Sequence, residues 1–162
     1  MNLMNRKIAL TALAIDKLIK LSESEIEDIL FSEYLDEEDG EQIAYESIYD
    51  EMVQDFLLKY YIEVVLYGVS NKYLAEFIQK HFQKAVNIVG EEPSLEKCPC
   101  CGYLTLTERG AYDICPVCHW EDDGKSEEEL LLYSTVNNSS LEEYRSKIQR
   151  ELEGAEIIYK KG

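Results

Sequence analysis

Two C-x-x-C pairs, Cys98-Pro99-Cys100-Cys101 and Cys115-Pro116-Val117-Cys118, lie close together in a chain of 162 residues, with thirteen residues between Cys101 and Cys115. Each pair can curl into a tight turn that aims two sulfurs at one point. A linker of this length lets the second turn fold back and complete a tetrahedron. Pro99 and Pro116 preset part of each turn, and Gly102 is free to take a left-handed conformation after the first. The pattern predicts a structural Zn2+ held by Cys98, Cys101, Cys115 and Cys118. Four thiolates leave no open coordination position, so such a metal cannot activate water. Its physical role is to replace a hydrophobic core that so short a segment cannot build.

Five cysteines leave one over. Cys98 and Cys100, only two apart, chelate a single metal poorly, so Cys100 reads as a bystander packed near the metal. The alternative has Cys100 or His119 displacing one of the four. Paired knuckles also hold iron in rubredoxin-type sites, but the short linker and the lack of an accompanying redox motif favour zinc. No charged-then-apolar export signal opens the sequence, and no apolar run approaches the ~20 residues of a membrane span. A reducing cytoplasm is the expected compartment, where disulfides are disfavoured.

Cys98-Pro99-Cys100-Cys101-Gly102-Tyr103, Thr105-Leu106, Gly110, Tyr112 and the run from Ile114 through Trp120 to Asp123 together resemble the bacterial cysteine-rich CPCC family. Asn138, Ser140-Leu141, Glu143 and Arg145 resemble its downstream helix. The resemblance covers about residues 96–153. It implies a metal-binding fold, a bacterial origin and a neighbourhood of toxin genes, and it implies no reaction. His119 departs from the pattern, which has an aromatic or small residue before the tryptophan.

Charge narrows the choice of partner. The formal net charge is −17, and from Leu21 to Leu58 there are fourteen Asp and Glu and no Lys or Arg. Such a surface repels phosphate, whose recognition calls for basic patches. It suits a basic protein partner or plain solubility. Around the cysteines, Glu96 to Asp123 holds two basic residues, Lys97 and Arg109, against six acidic ones.

The fold class expected is mainly α: a helical bundle at residues 1–92, then a small β zinc-ribbon-like module at 93–162, with Glu91-Glu92-Pro93-Ser94 as the boundary. Ile8, Ala12, Ile15 and Ile19 mark a first helix, its apolar face broadened by Leu10, Leu13 and Leu18. Ser22 with Glu25 is a capping-box signature for a second, which stops in Asp36-Glu37-Glu38-Asp39-Gly40. Tyr45, Tyr49, Met52, Phe56, Tyr60 and Val64 form the stripe of a third, running to Gly68. Ser70 caps a fourth, with Leu74, Phe77, Ile78, Phe82, Ala85 and Val89 inward. The short turn between these two predicts antiparallel neighbours. In the module, residues 103–106 and 111–114 are expected to pair as a hairpin around Glu108-Arg109-Gly110. Ser126 and Ser140 open further helices, Gly154 ends the last, and Ile157-Ile158-Tyr159 is a closing strand or docked tail.

Other chemistry is less well supported. Glu121-Asp122-Asp123 lacks a partnering histidine or phosphate loop and reads as a turn or cap. Trp120 is expected to shield the thiolates from water. His81 reads as structural rather than as a catalytic base, and the tyrosine stripe as core. Two functional classes remain. One is a non-catalytic protein-binding module, such as an immunity-type inhibitor of a basic bacterial toxin like a nuclease. The other is a nucleic-acid-associated zinc ribbon, which the charge around the knuckles disfavours.

Overall fold

The computed structural model describes residues 2–162. Among them are five α-helices and three two-stranded sheets. The chain divides into two compact units: residues up to Tyr67 together with Leu74–Gly90, and Gly68–Tyr73 together with Glu91–Gly162. Among the described residues, no helix is long and apolar enough to cross a membrane.

In the first unit, β1 (Asn2–Asn5) pairs in parallel with β2 (Val86–Val89), with Asn2 opposite Val86. Parallel strands need a crossover, and here the intervening helices supply it. Asn5 caps α1 (Arg6–Ile19) by accepting the Lys7 N–H at 2.8 Å. The side of α1 that is buried carries Ala9, Leu10, Leu13 and Ala14. Ile8, Ile15 and Ile19 are exposed, contrary to the expected stripe. Apolar residues occupy two sides of this helix, so spacing alone does not choose between them. Ala9 and Ala14 are both fully enclosed on the buried side.

The capping box of α2 (Glu23–Glu33) forms as expected, with Ser22 and Glu25 bonding each other's backbone N–H. The chain then reverses over residues 34–43. Asp36 Oδ1 accepts the Glu38 N–H at 2.8 Å, and Leu35 bridges to Gln42. Helix α3 (Glu51–Tyr60) starts later than the stripe suggests and continues as a π-helical turn, Tyr61–Val65. Tyr49, Met52 and Val64 are exposed, whereas Val53, Leu57 and Tyr61 are buried. The inward side is thus rotated by one residue from the one expected. Val53 and Leu57 join Leu30, Tyr34 and Ile48 in one cluster, with Tyr45 and Phe56 packed against it. Truncating a buried leucine such as Leu30 costs about 2–5 kcal/mol.

Helix α3 packs chiefly on α1, where the short Gly68–Ser70 turn suggests α4 (Asn71–Phe82). Helix α4 buries Leu74, Phe77 and Ile78 but ends at Phe82, which is exposed. Ala85 and Val89 are exposed too, because residues 86–89 are strand rather than helix. β-branched Val86, Ile88 and Val89 favour an extended chain.

The second unit is built around the cysteines. Strand β3 (Glu96–Lys97) pairs antiparallel with β4 (Leu104–Leu106). A single 3-10 turn, Glu127–Glu129, follows Ser126, whose capping box forms although no α-helix does. The short pair β5 (Tyr133–Ser134) and β6 (Ser139–Ser140) leads into α5 (Leu141–Leu152). Ser140 and Glu143 complete the capping box of α5, and Gly154 lies just beyond it. The C-terminal residues dock by backbone pairing: Ser70 N–H to Ile158 at 2.9 Å, Leu104 N–H to Lys160 at 2.9 Å, and Gly162 N–H to Gly102 at 2.8 Å.

Candidate metal centre

Each C-x-x-C pair sits at the tip of its own small hairpin, which corrects the single hairpin expected. Cys98–Cys101 lies between β3 and β4. The second pair is flanked by residues 112–115 and 120–122: Tyr112 N–H donates to Asp122, Asp122 N–H to Asp113 and Cys115 N–H to Trp120, all at 2.9–3.0 Å. The two tips are built alike. Gly102 N–H donates to Cys98 O at 3.0 Å, and His119 N–H to Cys115 O at 2.8 Å. Both turns close through a residue of positive φ, +79° at Gly102 and +62° at His119.

The hairpins bring Cys98, Cys101, Cys115 and Cys118 together, their sulfurs all within 4.8 Å of one another. Cys98 Sγ is 3.6 Å from Cys118 Sγ, and Cys101 Sγ is 3.7 Å from Cys115 Sγ. A metal bound to four sulfurs at ~2.3 Å implies a tetrahedral edge of about 3.8 Å, so the sulfurs fit one ion. All five cysteines are free thiols, and Cys98, Cys115 and Cys118 are wholly enclosed. Cys100, also buried, is outside the four, and so is His119.

The four sulfurs also govern one another's ionisation. Contact with Cys101 pushes the Cys98 thiol up, contact with Cys115 does the same to Cys101, and contact with Cys100 to Cys118; burial adds to each. Cys115 alone is pulled down, chiefly by Cys101 and then by Cys118 and Cys98, with the Thr105 hydroxyl 3.1 Å away helping. One thiolate can thus be solvated by the neighbouring thiols, but four negative charges in so small a space need a cation. The four cysteines are positioned to hold a metal ion.

Side chains from α5 and the C-terminal tail fix both knuckles. Arg145 donates to Pro99 O in the first, and Tyr144 OH donates to Cys118 O at 3.0 Å in the second. Lys161 Nζ reaches Cys101 O at 3.1 Å while lying over the Tyr103 ring. Trp120 is fully buried in the cluster of cysteines, Leu106, Leu141 and Ile148, and meets Tyr144 edge-on at 5.2 Å. Arg145 is named by the family resemblance. Tyr144 lies between two residues of that motif without being part of it, Lys161 lies beyond it, and the contacts of both are visible only in three dimensions.

The three acidic residues sit in three different environments. Asp122 is 0% exposed and accepts from Arg109 Nε at 2.8 Å, Gly110 N–H at 2.7 Å and Gly124 N–H at 3.2 Å. It pins the loop over residues 107–111 to the chain after Trp120. Glu121 is held by a reciprocal backbone–amide pair with Asn137. Asp123 pairs with Lys125 at 2.7 Å; burial works against its ionised form, but Lys125 and Ser134 outweigh it and hold its carboxyl below the usual range. His81 lies on α4, exposed, with its ring tilted against Phe77 at a centroid distance of 4.5 Å.

The fold and site together define a mainly helical protein carrying a compact unit whose four cysteines are positioned to hold a metal ion. Within that class, residues 96–152 match the family model described as Cysteine-rich CPCC. The match covers the segment that bears the metal centre and α5, and the helical part of the first unit lies outside it. No curated protein and no solved structure matches the chain.

Proposed function

We propose that the metal is zinc with a purely structural role, and that the protein is a non-catalytic binding module for a basic protein partner. An inhibitor that neutralises a basic toxin in the cytoplasm is the specific form this reading takes. The observation that carries it is the charge of the first unit. Among the described residues, no carboxylate between positions 21 and 58 is engaged in an ion pair. A field of unpaired negative charge attracts and orients a cationic protein. The closed thiolate set supports the non-catalytic half of the reading, since every coordination position is used. The short linker and the lack of a redox motif support zinc over iron.

The test is kinetic. Proteins captured from the native host are screened for a basic partner, and association is followed over a range of salt. The on-rate should fall steeply with ionic strength while dissociation changes less. Tight binding of DNA or RNA at ~0.15 M salt would contradict the proposal, because such affinity requires basic contacts that release counterions.

A further inference from the structure

The acidic side of the first unit holds two adjoining hollows. The first, about 440 Å3, has Tyr34 and Phe56 in its wall and Asp36, Glu37 and Glu38 around it. The second, about 270 Å3, has Tyr34, Tyr45 and Val53 in its wall and Asp50 and Glu51 around it. Tyr34 and Ile43 line both. The aromatic groups form one connected set, with ring centroids 4.7 Å apart for Tyr34–Phe56 and 6.3 Å for Tyr34–Tyr45.

Aromatic faces attract cations, and surrounding carboxylates add to that attraction. A lysine or arginine lays its aliphatic stem along apolar surface and keeps its charged head at a polar edge, which is the arrangement each hollow offers. A bare divalent ion fits poorly, because it asks for several oxygens converging at short range. Asp36 and Asp50 already accept backbone N–H groups of their own turns. Glu37, Glu38 and Glu51 are exposed and belong to the run of carboxylates without ion pairs.

The geometry points to a two-pocket docking site, with Tyr34 and Ile43 as the shared wall, that takes two cationic side chains from one arginine- or lysine-bearing segment of a basic protein. It rests on the reading that the partner is basic, and it narrows that reading to a place and a mode of binding.

The test uses the full metal-loaded chain and a fluorescent synthetic peptide with arginine at alternate positions, alongside its citrulline counterpart. Two variants of equal charge are compared. One carries Glu37→Gln, Glu38→Gln and Glu51→Gln beside the hollows; the other carries Glu27→Gln, Asp28→Asn and Asp55→Asn elsewhere in the acidic segment. Fluorescence anisotropy at ~0.15 M salt should show the first variant binding the arginine peptide about tenfold more weakly. The second should change by less than about twofold, and the citrulline peptide should not bind. Phe56→Leu, checked by circular dichroism for an intact fold, should also weaken binding. Equal losses in the two charge variants would overturn the pockets and leave diffuse attraction to a basic partner. Failure of every form to bind the arginine peptide would remove the basic-partner reading as well. Sedimentation showing that the hollows are covered by a second copy of the chain would also overturn the proposal.

Discussion

His119 stands in the second knuckle where Gly102 stands in the first. Each follows the last cysteine of its pair, each donates its backbone N–H to the carbonyl of that pair's first cysteine, and each has positive φ. A side chain in that conformation carries a cost of roughly 1 kcal/mol that glycine avoids. The His119→Gly variant should therefore hold its metal at least as well as the native chain, and His119→Val less well. Competition with a chelator measures this, and loss of metal from His119→Gly would give the imidazole a coordinating role.

Cys115 and Cys100 should behave oppositely. Cys115→Ser removes the sulfur whose ionised form its neighbours favour most, so it should lose the metal and unfold the second unit. Cys100→Ser replaces a buried thiol outside the four and should keep the metal. Metal content and near-ultraviolet circular dichroism separate the two outcomes.

Asp122 offers a test independent of metal ligation. Its removal would take the shared acceptor from the Gly110 and Gly124 N–H groups and the ion-pair partner from Arg109, which is a third exposed and keeps its bond to Lys125 O. Asp122→Ala should destabilise the second unit by about 1–3 kcal/mol. The effect is read as a lower midpoint of thermal unfolding at fixed zinc concentration, and a change within error of the native chain would remove Asp122 from its structural role.

Glu25 supplies a pH signature in the first unit. The Ser22 backbone N–H, then the Ser22 hydroxyl, hold its carboxyl below the ordinary glutamate value of 4.5. A depressed carboxylate contributes stability that is fully present above the unfolded value and lost as pH falls through the folded one. The capping contribution to α2 should thus persist at pH 4.5 and fade below it. Carboxyl chemical shifts followed by NMR should place the Glu25 midpoint under 4.5, and a midpoint at or above that value would mean that the capping box is not formed in solution.

The features legible in the sequence were those set by local chemistry. Cysteine spacing is enough to select the four converging sulfurs, because a C-x-x-C turn fixes its own geometry. Ser22–Glu25 and Ser140–Glu143 mark helix starts because both partners of each cap lie within one turn. Ser126–Glu129 forms the same box yet opens only a 3-10 turn, since a cap does not specify helix length. Long-range choices were less legible. The inward sides of α1 and α3 depend on what packs against them, and each helix carries apolar residues on more than one side. The parallel pairing of β1 with β2 joins segments more than eighty residues apart, with no local signal at either end. The clamps from Tyr144 and Lys161 are likewise products of tertiary folding.

X-ray absorption at the zinc edge of the purified chain, with its metal content, decides whether the four cysteines hold zinc. One zinc per chain is expected, surrounded by four sulfurs at ~2.3 Å. Iron in place of zinc, or a nitrogen or oxygen replacing one of the four sulfurs, would contradict it.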